Sequence, residues 1–247
     1  MLLLGFDTAT PAVTVALHDG EQVLAQVATV DAHRHAELLA PAIAKVIADA
    51  GAEREDLTAI AVGVGPGPYT GLRVGVVTAR VLGTALGIPV YGVCTLDVVA
   101  AGAIAAGTVT GAGGGEFLVA TDARRREVYW ARYDPAGQRL AGPGVARPDQ
   151  VEGRDVPVAG EGARLYPDLL PAGREPVYPA AGDLCGIVAG SLAHSASEGP
   201  VPGGTVSPGA GALATGTGLL PPEPLYLRRP DAREPGARKR VSPSCAS

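Results

Sequence analysis

Ala59-Ile-Ala-Val-Gly-Val-Gly-Pro-Gly-Pro-Tyr-Thr-Gly-Leu-Arg-Val-Gly-Val-Val-Thr-Ala-Arg-Val-Leu-Gly-Thr-Ala-Leu86 is the stretch that decides the fold. It opens on a short apolar run, Ala59–Val64, which predicts a buried strand. It breaks at a loop of glycine and proline, Gly65–Gly71, and continues over 71–86 as a helix. Downstream, Pro89–Val93 predicts another strand and Thr95–Ala106 another helix. Upstream, Leu38, Leu39, Ala42, Ile43, Val46 and Ile47 recur at helical spacing in a helix ending at Gly51, where Pro41 predicts a kink or a late start. Before it, residues 2–7, 12–18 and 22–28 form a three-stranded antiparallel meander, its last two strands joined by a tight Asp19-Gly20 turn. The order βββ-α-β-α-β-α defines an α/β chain with a mixed sheet and right-handed crossovers.

A second half then begins. Residues 107–115 are a flexible, Gly-rich break, and strands resume at Phe117–Thr121 and Glu127–Tyr133 around the charged turn Asp122–Arg126. The pattern soon degrades. Residues 134–180 are irregular with short segments, Leu184–Ala193 predicts one helix, and 199–223, rich in Gly, Pro and Thr, is expected to be disordered.

The 247 residues are 47% hydrophobic and 18% charged, which allows a sizeable core and excludes global disorder. Aromatics are only 4%, so Ala, Val, Leu and Ile must build that core. A net charge of −5 repels nucleic acid and argues against a self-sufficient RNA- or DNA-binding module. Cys94, Cys185 and Cys245 are widely spaced and odd in number; they fit neither a disulfide framework nor a zinc site, but a reducing compartment. Met1–Leu4 is apolar but meets Asp7 without a basic region, unlike a signal peptide. The uncharged stretches 98–115 and 199–222 are too rich in Gly, Ala and Thr, or too broken by proline, to span a membrane. A soluble, cytoplasmic chain is expected.

The helix over 71–86 carries Leu72, Val74, Val76, Val77, Ala79, Val81, Leu82, Ala85 and Leu86, apolar in nearly every direction. A surface helix needs one apolar stripe, so something besides the sheet must cover this one. Packing on the preceding helix and an oligomer interface formed by the two helices both answer that need.

The loop Gly65-Pro-Gly-Pro-Tyr-Thr-Gly71 permits positive φ, places Thr70 to cap the helix, and offers free N–H groups to an anion. It matches neither the P-loop nor the dinucleotide fingerprint, and a rigid structural turn is the simpler reading. Asp7, Thr8 and Thr10 lie in a turn that suits a phosphate as well as an ordinary strand connection. His33 and His35 stand at i, i+2, share no helical face, and are read as helix-start residues rather than a metal pair. Residues 228–240 hold six basic residues against two acidic, leaving the rest of the chain at −9; a solvated, disordered tail is the plain reading, and contact with RNA phosphates in an assembled complex is the alternative.

Gly5–Thr10, His33–Leu39, Gly63–Gly75 and Asp122–Tyr129, with Leu225-Tyr-Leu-Arg228 near the end, resemble the TsaB (YeaZ) family in sequence and order. The family usually has Ser where this chain has Pro68. The resemblance implies an actin-like, ASKHA (ribonuclease H-like) fold of two duplicated mixed-sheet α/β halves, the second reduced. The expected division is 1–106, 107–198, a segment 199–223, and a C-terminal segment with basic tail, 224–247. It further implies a non-catalytic subunit in the synthesis of N6-threonylcarbamoyladenosine at position 37 of tRNAs reading codons that begin with A. The expected partners are a catalytic TsaD-like subunit and a TsaE-like ATPase, with tRNA met only through the complex and a possible homodimer when alone. The contact is expected at Leu38, Leu39, Ala42, Ile43, Leu72, Val74, Val77 and Val81; Gly65, Gly67, Tyr69, Thr70, Gly71 and Arg73 form the signature loop. No catalytic residue, metal or cofactor is expected. Asp122-Ala-Arg-Arg-Arg126 puts bulky side chains where an ASKHA ATPase brings backbone against phosphate, and Thr95 and Val99 stand where the catalytic sister has a metal-binding H-x-x-x-H. The alternative is a small ASKHA-type kinase or metal-dependent hydrolase acting alone.

Overall fold

The structure, a computed structural model, describes residues 1–109, 115–170, 172–197 and 218–228. Strands β1 (Leu3–Asp7), β2 (Ala12–His18) and β3 (Val23–Val30) form the meander, and Asp19 closes the β2–β3 turn by accepting the Glu21 and Gln22 N–H groups. Helix α1 (His35–Asp49) leads to β4 (Ala59–Gly63), α2 (Tyr69–Leu86), β5 (Val90–Val93) and α3 (Thr95–Ala105). The sheet order is β3-β2-β1-β4-β5, antiparallel through β1 and parallel beyond it.

Strands β1, β2 and β4 are buried along their whole length because both faces of this sheet are covered. On one face Leu4, Phe6, Val15 and Ile60 pack against Leu39, Ile43 and Val46 of α1 and Leu72, Val76 and Ala79 of α2. On the other, Leu3, Ala16 and Ala61 meet Val98 of α3 and Leu184, Cys185 and Val188 of the last helix. Helix α1 runs unbroken from His35 through Pro41, so the expected late start does not occur. With six residues already wound ahead of it, the proline removes only the N–H that would bond the Glu37 carbonyl.

The second half repeats the scheme. Strands β6 (Phe117–Asp122), β7 (Val128–Tyr133), β8 (Arg139–Ala146), β9 (Val158–Ala159) and β10 (Gly173–Arg174) stand in the order β10-β9-β6-β7-β8, the first sheet's order with matching directions. Its helices are worn down. A single turn at Pro148–Gln150 stands where the first half has α1, and α4 (Gly162–Leu165) has one turn. Strand β8 corrects the reading of 134–180 as irregular; its sequence, RLAGPGVA, lacks clear alternation, and Pro143 is tolerated because the strand is at the edge. Helix α5 (Ala181–Ser197) ends this half in sequence yet returns to cover the first sheet.

Helix α3 sits between the two sheets. Val98 faces the first, while Leu96, Val99, Ala100 and Ala103 pack on Phe117, Ala131 and Tyr133 of the second. The segment expected to be disordered over 199–223 divides: 199–217 lies outside the described residues, but Leu220 pairs with Gly92 of β5 and packs on both cores. Leu225 then donates its N–H to the Val64 carbonyl at 2.8 Å, so a C-terminal strap ties the halves together. Among the described residues no helix is long and apolar enough to cross a membrane.

Candidate functional site

The turn after β1 is folded inward. Asp7 is fully buried; its Oδ1 accepts the Ala9 N–H and its Oδ2 the Thr95 hydroxyl, both at 2.7 Å. Thr95 in turn accepts the Gly65 N–H at 3.1 Å. Burial pushes the Asp7 carboxyl above its usual range, against the pull of these hydrogen bonds and of His35. The Thr8 hydroxyl donates to the Gly71 carbonyl at 2.8 Å and accepts the Gly75 N–H at 3.0 Å, bridging two groups that an unbroken α-helix would pair with each other. Thr10 accepts the Ala12 N–H, and its carbonyl takes the His35 Nε2 proton at 2.8 Å, which fixes His35 as a helix-start residue.

The signature loop is shaped by this turn. A Cβ on Gly67 would lie 2.2 Å from the Ala9 carbonyl oxygen, and one on Gly75 would lie 2.5 Å from Thr8 Oγ1. Only glycine allows so close an approach of loop and turn. Thr70 does not cap α2: Pro68 occupies the cap position without a side-chain bond, and Thr70 is already helical and exposed. Thr95 and Val99 are sealed in the core, Thr95 as the link between Asp7 and Gly65.

In the second half the equivalent turn points outward. Arg124, Arg125 and Arg126 all adopt left-handed backbone, with φ of 61°, 55° and 61°. Arg124 pairs with Asp122 at 3.2 Å and borders a cleft of about 230 Å³ with Thr10, His33, His35 and Thr70. The hydroxyls of the first turn are committed to the chain's own backbone, and the second turn carries side chains where phosphate would need bare N–H groups. These residues do not fit a metal–nucleotide. Among the described residues no group of three or more His, Cys, Asp or Glu side chains could hold a metal ion.

The two halves are joined by a buried polar cluster that sequence reasoning missed. Asp97 of α3 accepts two guanidinium bonds from Arg139 of β8, at 3.1 and 2.8 Å, and the Tyr133 hydroxyl of β7 at 2.7 Å. Burial disfavours charge on Arg139, but Asp97, together with Cys94 and Tyr133, more than offsets this and keeps the guanidinium charged. Burial also pushes the neighbouring Cys94 thiol up to about 12. Nothing in the spacing of residues 97, 133 and 139 could have found them.

The remaining feature is an uncovered face on α1 and α2. Of the residues expected there, Leu39 and Leu72 are instead sealed in the chain's own core, and Ile43 nearly so, because their stripe is the one the sheet needs. Leu38, Ala42 and Val74 are partly buried. Val77 and Val81 are open, 50% and 60% exposed. They continue a row that starts at Tyr69 and Arg73, where Arg73 donates to the Tyr69 hydroxyl at 2.6 Å and lies over its ring at 5.1 Å. Tyr226 from the strap stacks on Tyr69 with centroids 5.4 Å apart. Alongside run Ala36, Ala40, Ala44 and Ala48, exposed at i+4 spacing on α1, a signal present in the sequence but overlooked among larger residues. Two grooves, of about 630 and 510 Å³, flank this face.

Two copies of one five-stranded order around a shared central helix define an α/β protein of the actin-like, ASKHA class. The family model of TsaD, tRNA N6-adenosine threonylcarbamoyltransferase, matches residues 22–175. An uncharacterised Mycobacterium tuberculosis protein is 45% identical over 94% of this chain and 93% of its own length. The Escherichia coli tRNA threonylcarbamoyladenosine biosynthesis protein TsaB is 33% identical over 68% of this chain and 75% of its own. An uncharacterised Mycobacterium leprae protein is also 45% identical, but the chain spans only 56% of that relative's length. Among solved structures, YeaZ from Pseudomonas aeruginosa superposes with a TM-score of 0.61 at 31% identity, covering 81% of this chain and 96% of YeaZ. The chain belongs to the TsaB (YeaZ) family.

Proposed function

We propose that this chain is a non-catalytic subunit in tRNA threonylcarbamoyladenosine synthesis, pairing with a TsaD-type catalytic subunit and holding it in its active form. The observation that carries this is the uncovered α1–α2 face, where Val77 and Val81 stand half or more exposed between alanines and a Tyr–Arg–Tyr cluster. Fully burying a valine is worth about 1.5–3 kcal/mol, and much of that gain is still open at both positions. Exposed alanines let a second pair of helices approach closely, and Tyr and Arg are the side chains that anchor interfaces. The inward-folded β1–β2 turn supports a subunit that leaves the chemistry to its partner. A TsaE-type ATPase would complete the system, and the same face would pair two copies when the partner is absent.

The test is co-expression with TsaD- and TsaE-type subunits of the same genome, followed by tRNA modification with each component omitted. Val77→Asp together with Val81→Asp places unpaired charge in a desolvated contact and should abolish co-purification with the TsaD-type subunit while the chain stays folded. Co-purification at unchanged yield sinks the interface. Micromolar nucleotide binding by the isolated chain in calorimetry would favour an independent kinase instead.

A further inference from the structure

The exposed side of α2 carries charge of one sign. Over Tyr69–Leu86 the helix contains Arg73 and Arg80 and no acidic residue. Both arginines are exposed, with Val77 between them and Val81 next to the second. Seven residues apart, they stand two turns, about 10 Å, from each other along the axis. Arg73 donates one N–H to the Tyr69 hydroxyl, a neutral acceptor that leaves its charge uncompensated. Among the described residues neither arginine takes part in an ion pair. Helix α1 differs: Glu37 pairs with Arg34 just ahead of it, and Lys45 pairs with Asp49, so its side of the face is neutralised internally. The groove at the far end of the face closes on Glu53 and Arg54, one of each sign.

We propose that Arg73 and Arg80 make the α1–α2 face selective for a partner helix surface that carries carboxylates, and disfavour its pairing with a second copy of this chain. That the face is a docking surface rests on the function proposed above; the chemistry of its occupant is read from charge. Arg73 lines the groove of about 510 Å³ beside Ala40, Val74 and Val77, so a helix that fills the groove covers the guanidinium. A cation taken out of water without a counter-charge is costly. Carboxylates two helical turns apart on the partner would meet both arginines through charge-assisted bonds, which guanidinium groups make in a planar, two-pronged geometry. A second copy supplies the opposite: two more arginines and no carboxylate from α2, so four guanidinium groups gather around one apolar contact. The apolar row thus provides the adhesion and the two arginines choose between partners.

The experiment measures two affinities of the full chain over a series of salt concentrations: for the TsaD-type subunit of the same genome, by calorimetry, and for itself, by sedimentation. Salt screens attraction and repulsion alike, so it should weaken the first and strengthen the second. Arg73→Gln with Arg80→Gln removes both charges and should weaken partner binding about tenfold at low salt, with most of its salt dependence lost. The same variant should self-associate more tightly than the unsubstituted chain, and salt should no longer help it. Arg73→Lys with Arg80→Lys keeps the charge and should keep both salt trends, and it decides the matter if the Gln variant unfolds. Partner binding by the Gln variant with unchanged affinity and salt dependence would overturn the assignment, as would self-association of the unsubstituted chain that weakens with salt. Val77→Asp with Val81→Asp reads the face itself. If that change abolishes partner binding while the Gln pair changes nothing, the docking face stands and the charge selection falls. If the unsubstituted chain does not bind the TsaD-type subunit at all, the proposed function falls, and the self-association arm still judges the arginines.

Discussion

In the first half the turn after β1 buries Asp7 completely and commits the Thr8 hydroxyl to both Gly71 and Gly75. In the second, the turn after β6 occupies the same place in the same strand order, yet Arg124–Arg126 are exposed and left-handed. The duplication kept the sheets and let the two turns diverge. Here one turn serves cohesion and the other carries surface charge. The difference teaches that a fold fixes where chemistry could happen, while a handful of side chains decides whether it does.

The largest expected effect lies at the joint between the halves. Asp97→Ala leaves the Arg139 guanidinium buried without its counter-charge and should lower stability by about 3–5 kcal/mol in chemical denaturation. A loss below about 1 kcal/mol would mean that the halves do not depend on this pair. Next come the turns themselves. Gly75→Ala drives a methyl group into Thr8 and should cost about 1–3 kcal/mol, whereas Arg125→Gly in the second turn should be neutral or stabilising. Equal losses at the two would erase the contrast.

Asp7 supplies a pH test of the inward turn. Its folded pKa is raised by burial, so its contribution is present below the unfolded value of about 4 and fades as pH rises through the folded one. Asp7→Asn should therefore flatten the stability profile above about pH 4. A profile identical to that of the unsubstituted chain, followed by thermal melting, would show that Asp7 is not the buried group described. The smallest effect belongs to the open face: Val77→Asp should shift stability by no more than about 0.5 kcal/mol, while Val76→Asp, one residue away and 1% exposed, should be severely destabilising. If both destabilise alike, α2 has no free side.

Most of the first half was legible because its elements are regular. Apolar runs between turn residues marked β1, β4 and β5, and the 3.6-residue period marked α1. Strand β8 was not legible: glycine and proline in RLAGPGVA hide an edge strand whose pairing comes from β7 rather than from its own propensity. The candidate face was legible only in part. The apolar excess of α2 showed that an extra cover was needed, but Leu39 and Leu72 could not be told from Val77 and Val81 until the sheet claimed its side. Thr70 fits a cap by residue type, yet the chain enters α2 earlier, at Pro68.

By itself the sequence determined the α/β order, the family loop Gly63–Gly75 and the acidic body with its basic end, because local propensity and residue type are properties of short stretches. Tertiary structure alone decided that α5 closes the first sheet, that Asp97, Tyr133 and Arg139 meet, that Tyr226 stacks on Tyr69, and that Arg228 joins the arginine turn. Each of these contacts links residues dozens of positions apart or more. No local pattern encodes them, since they exist only once burial of the apolar faces has chosen which surfaces meet.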